Sequence, residues 1–90
     1  MNAVLETFPS ATDLLTRRPV GLVVVEAQVE GMYSIIITLS DGSRYRLYPA
    51  EDCWVGLAGR KIRDCVESSH DDQFSFLRII FEDCAVRFRI

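Results

Sequence analysis

Apolar and polar residues alternate along most of this chain, and the alternation comes in two similar sets. Ile35 to Leu47 (IIITLSDGSRYRL) and Leu77 to Ile90 (LRIIFEDCAVRFRI) each run from an apolar alternating strand through an acidic turn into an Arg-aromatic-Arg-aliphatic strand. Residues 17 to 41 align without a gap on 59 to 83, with Arg18/Arg60, Val24/Val66, Ile37/Ile79 and Asp41/Asp83 identical. One added residue after the second turn then sets Arg44-Tyr45-Arg46-Leu47 on Arg87-Phe88-Arg89-Ile90. Period-two alternation is the mark of strands with one face buried, and self-similarity of this kind marks a repeated structural unit.

The elements follow from that pattern. Ser10-Ala11-Thr12-Asp13 has the capping-box form and Pro19 restricts the residue before it, so a short helix is expected near 10 to 17. Val20 to Val29 is β-branched and nearly continuous in apolar character, which predicts a strand covered on both faces for at least half its length. The N-terminal helix is the nearest candidate cover. Met32 to Leu39 returns with Tyr33, Ile35, Ile37 and Leu39 on one face, and Ser40-Asp41-Gly42-Ser43 turns the chain into a strand at Arg44 to Tyr48.

Pro49 to Leu57 suits a short linker helix ending at Gly56 or Gly59, with Trp54 as its anchor. The second half repeats the plan with strands Lys61 to Glu67, Phe74 to Phe81 and Val86 to Ile90, and a polar loop at 68 to 73. Cys84 stands where the first turn has glycine, and the added residue is expected to lengthen that loop. The expected fold is mainly β: a small barrel or sandwich of two duplicated three-stranded antiparallel meanders, with a short N-terminal helix and a short linker helix. It is a single domain over 1–90, divided into a helical segment 1–19, a first meander 20–48, a linker 49–60 and a second meander 61–90.

Composition narrows the partners. Apolar residues make up 49% of the 90, enough for a packed core, although a domain of this size buries only about 60 to 65% of its unfolded surface. A net charge of −3 provides no global field for a polyanion. Three cysteines, Cys53, Cys65 and Cys84, cannot all pair within the chain and are expected as reduced thiols in a cytoplasmic protein. Nothing at the N-terminus reads as a secretory signal or membrane span.

Candidate chemistry is sparse. His70, Asp71 and Asp72 read as a solvated hairpin loop rather than an acid/base or metal cluster, because polar residues are the norm in turns. Cys53, Cys65, Cys84 and His70 lack the close ligand pair usual in zinc sites. No enzyme activity, metal or cofactor is expected. Arg44, Arg46, Arg87 and Arg89 fall opposite the core side chains; they make either a basic stripe for phosphates or an acidic partner, or a solvated face paired with Glu26, Glu67 or Glu82, the reading preferred here. Tyr45 and Phe88 point to the core. Phe74, Phe76 and Ile80, with Arg78 among them, form an outward apolar row needing cover from the N-terminal helix or a partner. The strand ending at Ile90 carries no edge-blocking residue, which suggests pairing into a homodimer.

Leu57-Ala-Gly-Arg-Lys-Ile62, followed by Leu77-Arg-Ile-Ile-Phe81 and an acidic turn, is similar to a pattern in small uncharacterised bacterial and phage β-proteins, some of them immunity-protein-like. Glu82-Asp83-Cys84 replaces their Asp-Gly turn. The resemblance implies a binding protein, and no catalytic residues come with it. The expected function is a non-enzymatic protein-protein interaction module, an immunity factor or phage-encoded inhibitor, binding through the four arginines and the Phe74, Phe76, Arg78 and Ile80 row. The alternative is a nucleic-acid-binding β-domain using the arginine stripe.

Overall fold

The computed structural model describes residues 8–50, 56–70 and 74–90, with backbone alone for His70 and Phe74. The expected linker helix with Cys53 and Trp54, and the acidic pair Asp71 and Asp72, lie outside the described residues.

Helix α1 spans Ala11–Arg17. The Asp13 carboxylate accepts from the Ser10 N–H at 2.7 Å and from its hydroxyl at 3.2 Å, satisfying a donor that the first turn would leave free. Arg18 ends the helix in the left-handed conformation (φ 50°), its N–H donating to the Leu14 carbonyl. Pro19 then stops any continuation.

Six strands follow: β1 Val24–Glu30, β2 Ser34–Leu39, β3 Arg44–Pro49, β4 Ile62–His70, β5 Phe74–Phe81 and β6 Ala85–Arg89. All pairings are antiparallel, and the strands form one sheet in the order β1-β2-β3-β6-β5-β4 rather than two facing sheets. Between β2 and β3, Gly42 takes a positive φ of 89° and Asp41 accepts from the Ser43 N–H at 3.0 Å, which closes the turn as its residues demand.

The ladders correct the expected register in two places. The Phe81 N–H donates to the Cys84 carbonyl across Glu82 and Asp83 alone, so the second turn is shorter than the first, not longer. No residue of it takes a positive φ. Phe88 therefore lies opposite Leu77 as Leu47 lies opposite Ile35, which matches Arg46 to Arg87 and leaves Arg44 matched to Ala85. In the first strands, Val29 pairs with Ile35 where Glu67 pairs with Leu77, so Cys65 corresponds to Ala27 rather than Val23. The cause is a longer β4–β5 ladder: Ser68, Ser69 and His70, expected in a loop, pair with Phe76, Ser75 and Phe74.

The outer edges of the sheet, β1 and β4, meet at one point. Val23 bridges Lys61, flanked by reciprocal backbone bonds: Val24 N–H to Arg60 (2.9 Å) and Ile62 N–H to Leu22 (2.8 Å), then Gly59 N–H to Val24 (2.6 Å) and Gly21 N–H to Ile62 (2.8 Å). Each edge has a bulge just beyond, between Val24 and Glu26 and between Ile62 and Asp64. No further pairing joins β1 to β4 among the described residues, and the sheet is not closed.

The core lies on one face. Ile35, Ile37, Leu39, Tyr45 and Leu47 share a single buried cluster with Leu77, Ile79, Phe81, Val86 and Phe88, and α1 adds Ala11 and Leu14. The helix packs against β3, β4 and β5, on the core side. It does not cover β1, where Val24 is buried but Val25 and Val29 stand 54% and 57% exposed, so the expected two-sided burial fails. β6 is likewise interior, between β3 and β5, which removes the ground for edge pairing through the strand ending at Ile90.

Phe88 is fully buried at the junction of β6 with β3 and β5. Phe88→Ala is expected to lower unfolding free energy by about 3–5 kcal/mol, and Ile90→Ala by far less, in urea titrations followed by circular dichroism.

Candidate partner-binding surface

Alternation turns Arg44, Arg46 and Tyr48 of β3, Phe76, Arg78 and Ile80 of β5, and Arg87 and Arg89 of β6 away from the core. Phe74 opposes His70 in the backbone, and its side chain lies outside the described residues. β3 and β6 pair only near their C-terminal ends, Tyr48 with Arg89 and Pro49 with Phe88. The two arginine pairs consequently run away from each other, and Arg44 stands about 20 Å from Arg87 along the strands.

The first pair is engaged within the chain. The guanidinium carbons of Arg44 and Arg46 each lie 5.1 Å from the centre of the Phe8 ring. Arg46 also forms a forked ion pair with Glu30, Nε to Oε1 at 2.6 Å and Nη2 to Oε2 at 3.0 Å. Its partner is thus Glu30, outside the expected set of Glu26, Glu67 and Glu82.

The second pair stands differently. Arg87 lies over the Phe76 ring at 5.3 Å and directly opposite Arg78 across the β5–β6 ladder. Arg89 has Tyr48 on one side and Phe76 on the other. Neither Arg78 nor Arg89 has an ion-pair partner among the described residues.

A cleft of about 600 Å³ opens beside Arg89, between the β1–β2 turn and the ends of β3 and β6. Val29, Met32, Tyr33, Tyr48 and Ile90 line it, at 57%, 86%, 76%, 45% and 51% exposure, and among the described residues Arg89 is the one charged side chain in its lining. Sequence reasoning missed this place because it assigned Met32 and Tyr33 to a strand and Tyr33 to the core face. Both belong to a turn with Gly31 (φ 71°). The usable signal was the pairing of glycine with two large apolar residues where turns ordinarily carry polar ones.

Elsewhere, charge serves the fold. Arg17 pairs with Asp41 and Arg60 with Asp83, each tying the segment ahead of a first strand to the hairpin turn of the same half. Arg18 pairs with Asp64 at 2.7 Å. Hydrogen bonds from the Ser43 hydroxyl and then from Arg17 hold the Asp41 carboxyl well below the usual carboxylate range. Arg18 first, then the Cys65 N–H, lowers Asp64, and Arg46 lowers Glu30. Burial, with a smaller contribution from Asp64, pushes the Cys65 thiol up to about 11, while Cys84 is exposed. No three His, Cys, Asp or Glu side chains gather to hold a metal among the described residues.

Two measurements test this electrostatic picture. Asp41, Asp64 and Glu30 have folded-state pKa values below their unfolded ones, so their stabilisation is fully present above the ordinary carboxylate range and is lost as pH falls from that range down through the lower folded-state values. Melting temperature should drop between about pH 5 and pH 2, and Asp41→Asn should flatten that drop. In alkylation of the native protein read by peptide mass spectrometry, Cys84 should react well before Cys65, which should react only on unfolding.

Compared with known proteins, the chain matches no family model, no curated protein and no solved structure.

Proposed function

We propose that this chain is a non-enzymatic protein-binding module whose partner sits on the cleft beside Arg89. The observation that carries the reading is the convergence of five exposed apolar side chains, Val29, Met32, Tyr33, Tyr48 and Ile90, on one place rimmed by a guanidinium. Methionine, tyrosine and arginine are the residues enriched at protein interfaces, and a contiguous apolar patch is costly to leave in water. An immunity factor or a phage-encoded inhibitor would use such a surface, and the resemblance of the 57–62 and 77–81 segments leans the same way.

The reading of the fold that goes with it is a duplicated three-strand unit curled into an incompletely closed barrel. Its support is the reciprocal set of backbone bonds around Val23 and Lys61 and the matching bulges after Val24 and Ile62.

A second reading, nucleic-acid binding, draws on Tyr48 and Phe76, which stand among Arg78, Arg87 and Arg89 on the outer face. The net charge of −3 weighs against it.

Recovery of tagged protein from its native extract tests both. A stoichiometric protein that survives a high-salt wash and is lost with Met32→Ser/Tyr33→Ser supports the module. Nucleic acid released by high salt, with no protein retained, supports the second reading. Recovery of the bare chain under both washes would sink the first.

A further inference from the structure

We infer that the partner on this surface is a second copy of the chain, paired antiparallel along the open edge of β1 about a twofold axis at Ala27. The inference rests on the protein-binding reading and names what binds.

The distribution of exposed apolar side chains points to β1. Among the described residues, large apolar side chains are exposed at Val20, Val25, Val29, Met32, Tyr33, Tyr48 and Ile90. All but the last two lie on β1 or in the turns on either side of it. Apolar surface gathered on one edge strand and its flanks fits a sheet that continues into another strand.

The backbone of that edge is open. The Leu39 N–H donates to the Ser43 carbonyl on the β3 side, so the alternate residues Thr38, Ile36 and Ser34 face β1. Their partners Glu26, Gln28 and Glu30 face β2 in return, which turns the N–H and C=O groups of Ala27 and Val29 outward. No described residue bonds to either of them on that side.

The other edge is capped at the corresponding place. The Phe81 N–H donates toward β6, so Ile80 and its partner Asp64 face each other and Cys65, the counterpart of Ala27, faces out. Its N–H donates to the Asp64 carboxylate at 2.8 Å, and Arg18 holds that carboxylate in turn. β1 has no such cap among the described residues, and it contains neither lysine nor proline, the usual guards of an edge.

A twofold pairing has to be complementary to itself. With Ala27 on the axis, the two Ala27 residues exchange both backbone bonds, Val29 comes opposite the second copy's Val25, and Glu26 opposite the second copy's Gln28. Apolar side chains meet each other, and each carboxylate meets an amide donor. An axis at Gln28 would set Glu26 against Glu30 on both sides, a like-charge pair. An axis at Val29 would run the pairing into the turn at Gly31 (φ 71°).

Sedimentation equilibrium of the full chain, with amide hydrogen exchange followed by nuclear magnetic resonance at high and low protein concentration, tests the pairing. The chain should sediment as a dimer. The Ala27 and Val29 amides should exchange about tenfold more slowly in concentrated than in dilute solution, while Gln28, bonded to β2 in either state, should change far less. Val29→Lys should give a monomer with an unchanged circular dichroism spectrum and no such protection. In recovery from the native extract, the stoichiometric protein should be an untagged copy of this chain.

A dimer whose Ala27 and Val29 amides exchange equally fast at both concentrations would overturn the β1 pairing. A folded monomer that still captures another protein through Met32 and Tyr33 would overturn the second copy and leave the protein-binding reading intact. A monomer that captures nothing would overturn both.

Discussion

Everything in this fold depends on one sheet having to bury a single face of all six strands in a common cluster. A flat six-stranded sheet cannot do that at this size, since the apolar faces of the outermost strands would find nothing to pack against. In this sheet the chain at the start of β1 meets the chain at the start of β4, through the reciprocal bonds among Gly21, Leu22, Val24, Gly59, Arg60 and Ile62. Both bulges sit immediately beyond that seam, where added twist is needed to turn each edge. Both glycines, at φ 92° and 90°, supply conformations that side-chain-bearing residues rarely adopt.

Helix α1 completes the core on the terms of that curvature. Leu14 and Ala11 enter the same cluster, and the flanking arginines fasten the helix end, Arg17 to the Asp41 turn and Arg18 to Asp64 on the far half. One short helix thus touches both halves. A cover for β1 was expected of it, but a helix of Ala11–Arg17 cannot fill the core and shield a second face together.

Much of the architecture was legible in the chain because it is local. Alternation placed Ile35, Ile37, Leu77, Ile79, Tyr45 and Phe88 inside, and Ser10 to Asp13 and Asp41-Gly42 marked the helix start and first turn, as their hydrogen bonds require. What failed was whatever depends on counting across a hairpin. Glu82-Asp83 closes a shorter turn and Ser68 to His70 extend a ladder, and neither changes the alternation that a sequence displays. The outward positions of Arg78, Arg87 and Arg89 were readable for the same local reason. The cleft was not, because it joins the residue 29–35 region to residues 48–50 and 89–90, which only the antiparallel meeting of β3 and β6 brings together.

The seam between β1 and β4 has a further meaning for how the molecule can be divided. Each half contributes one side of every bond there, and each buries the other half's apolar face. Cutting the chain between Ala50 and Gly56 would produce two pieces that each lack a mate for the same donors and acceptors. Such pieces are natural candidates for reassembly by complementation, and two intact copies could equally trade halves, each seam then closing between chains instead of within one.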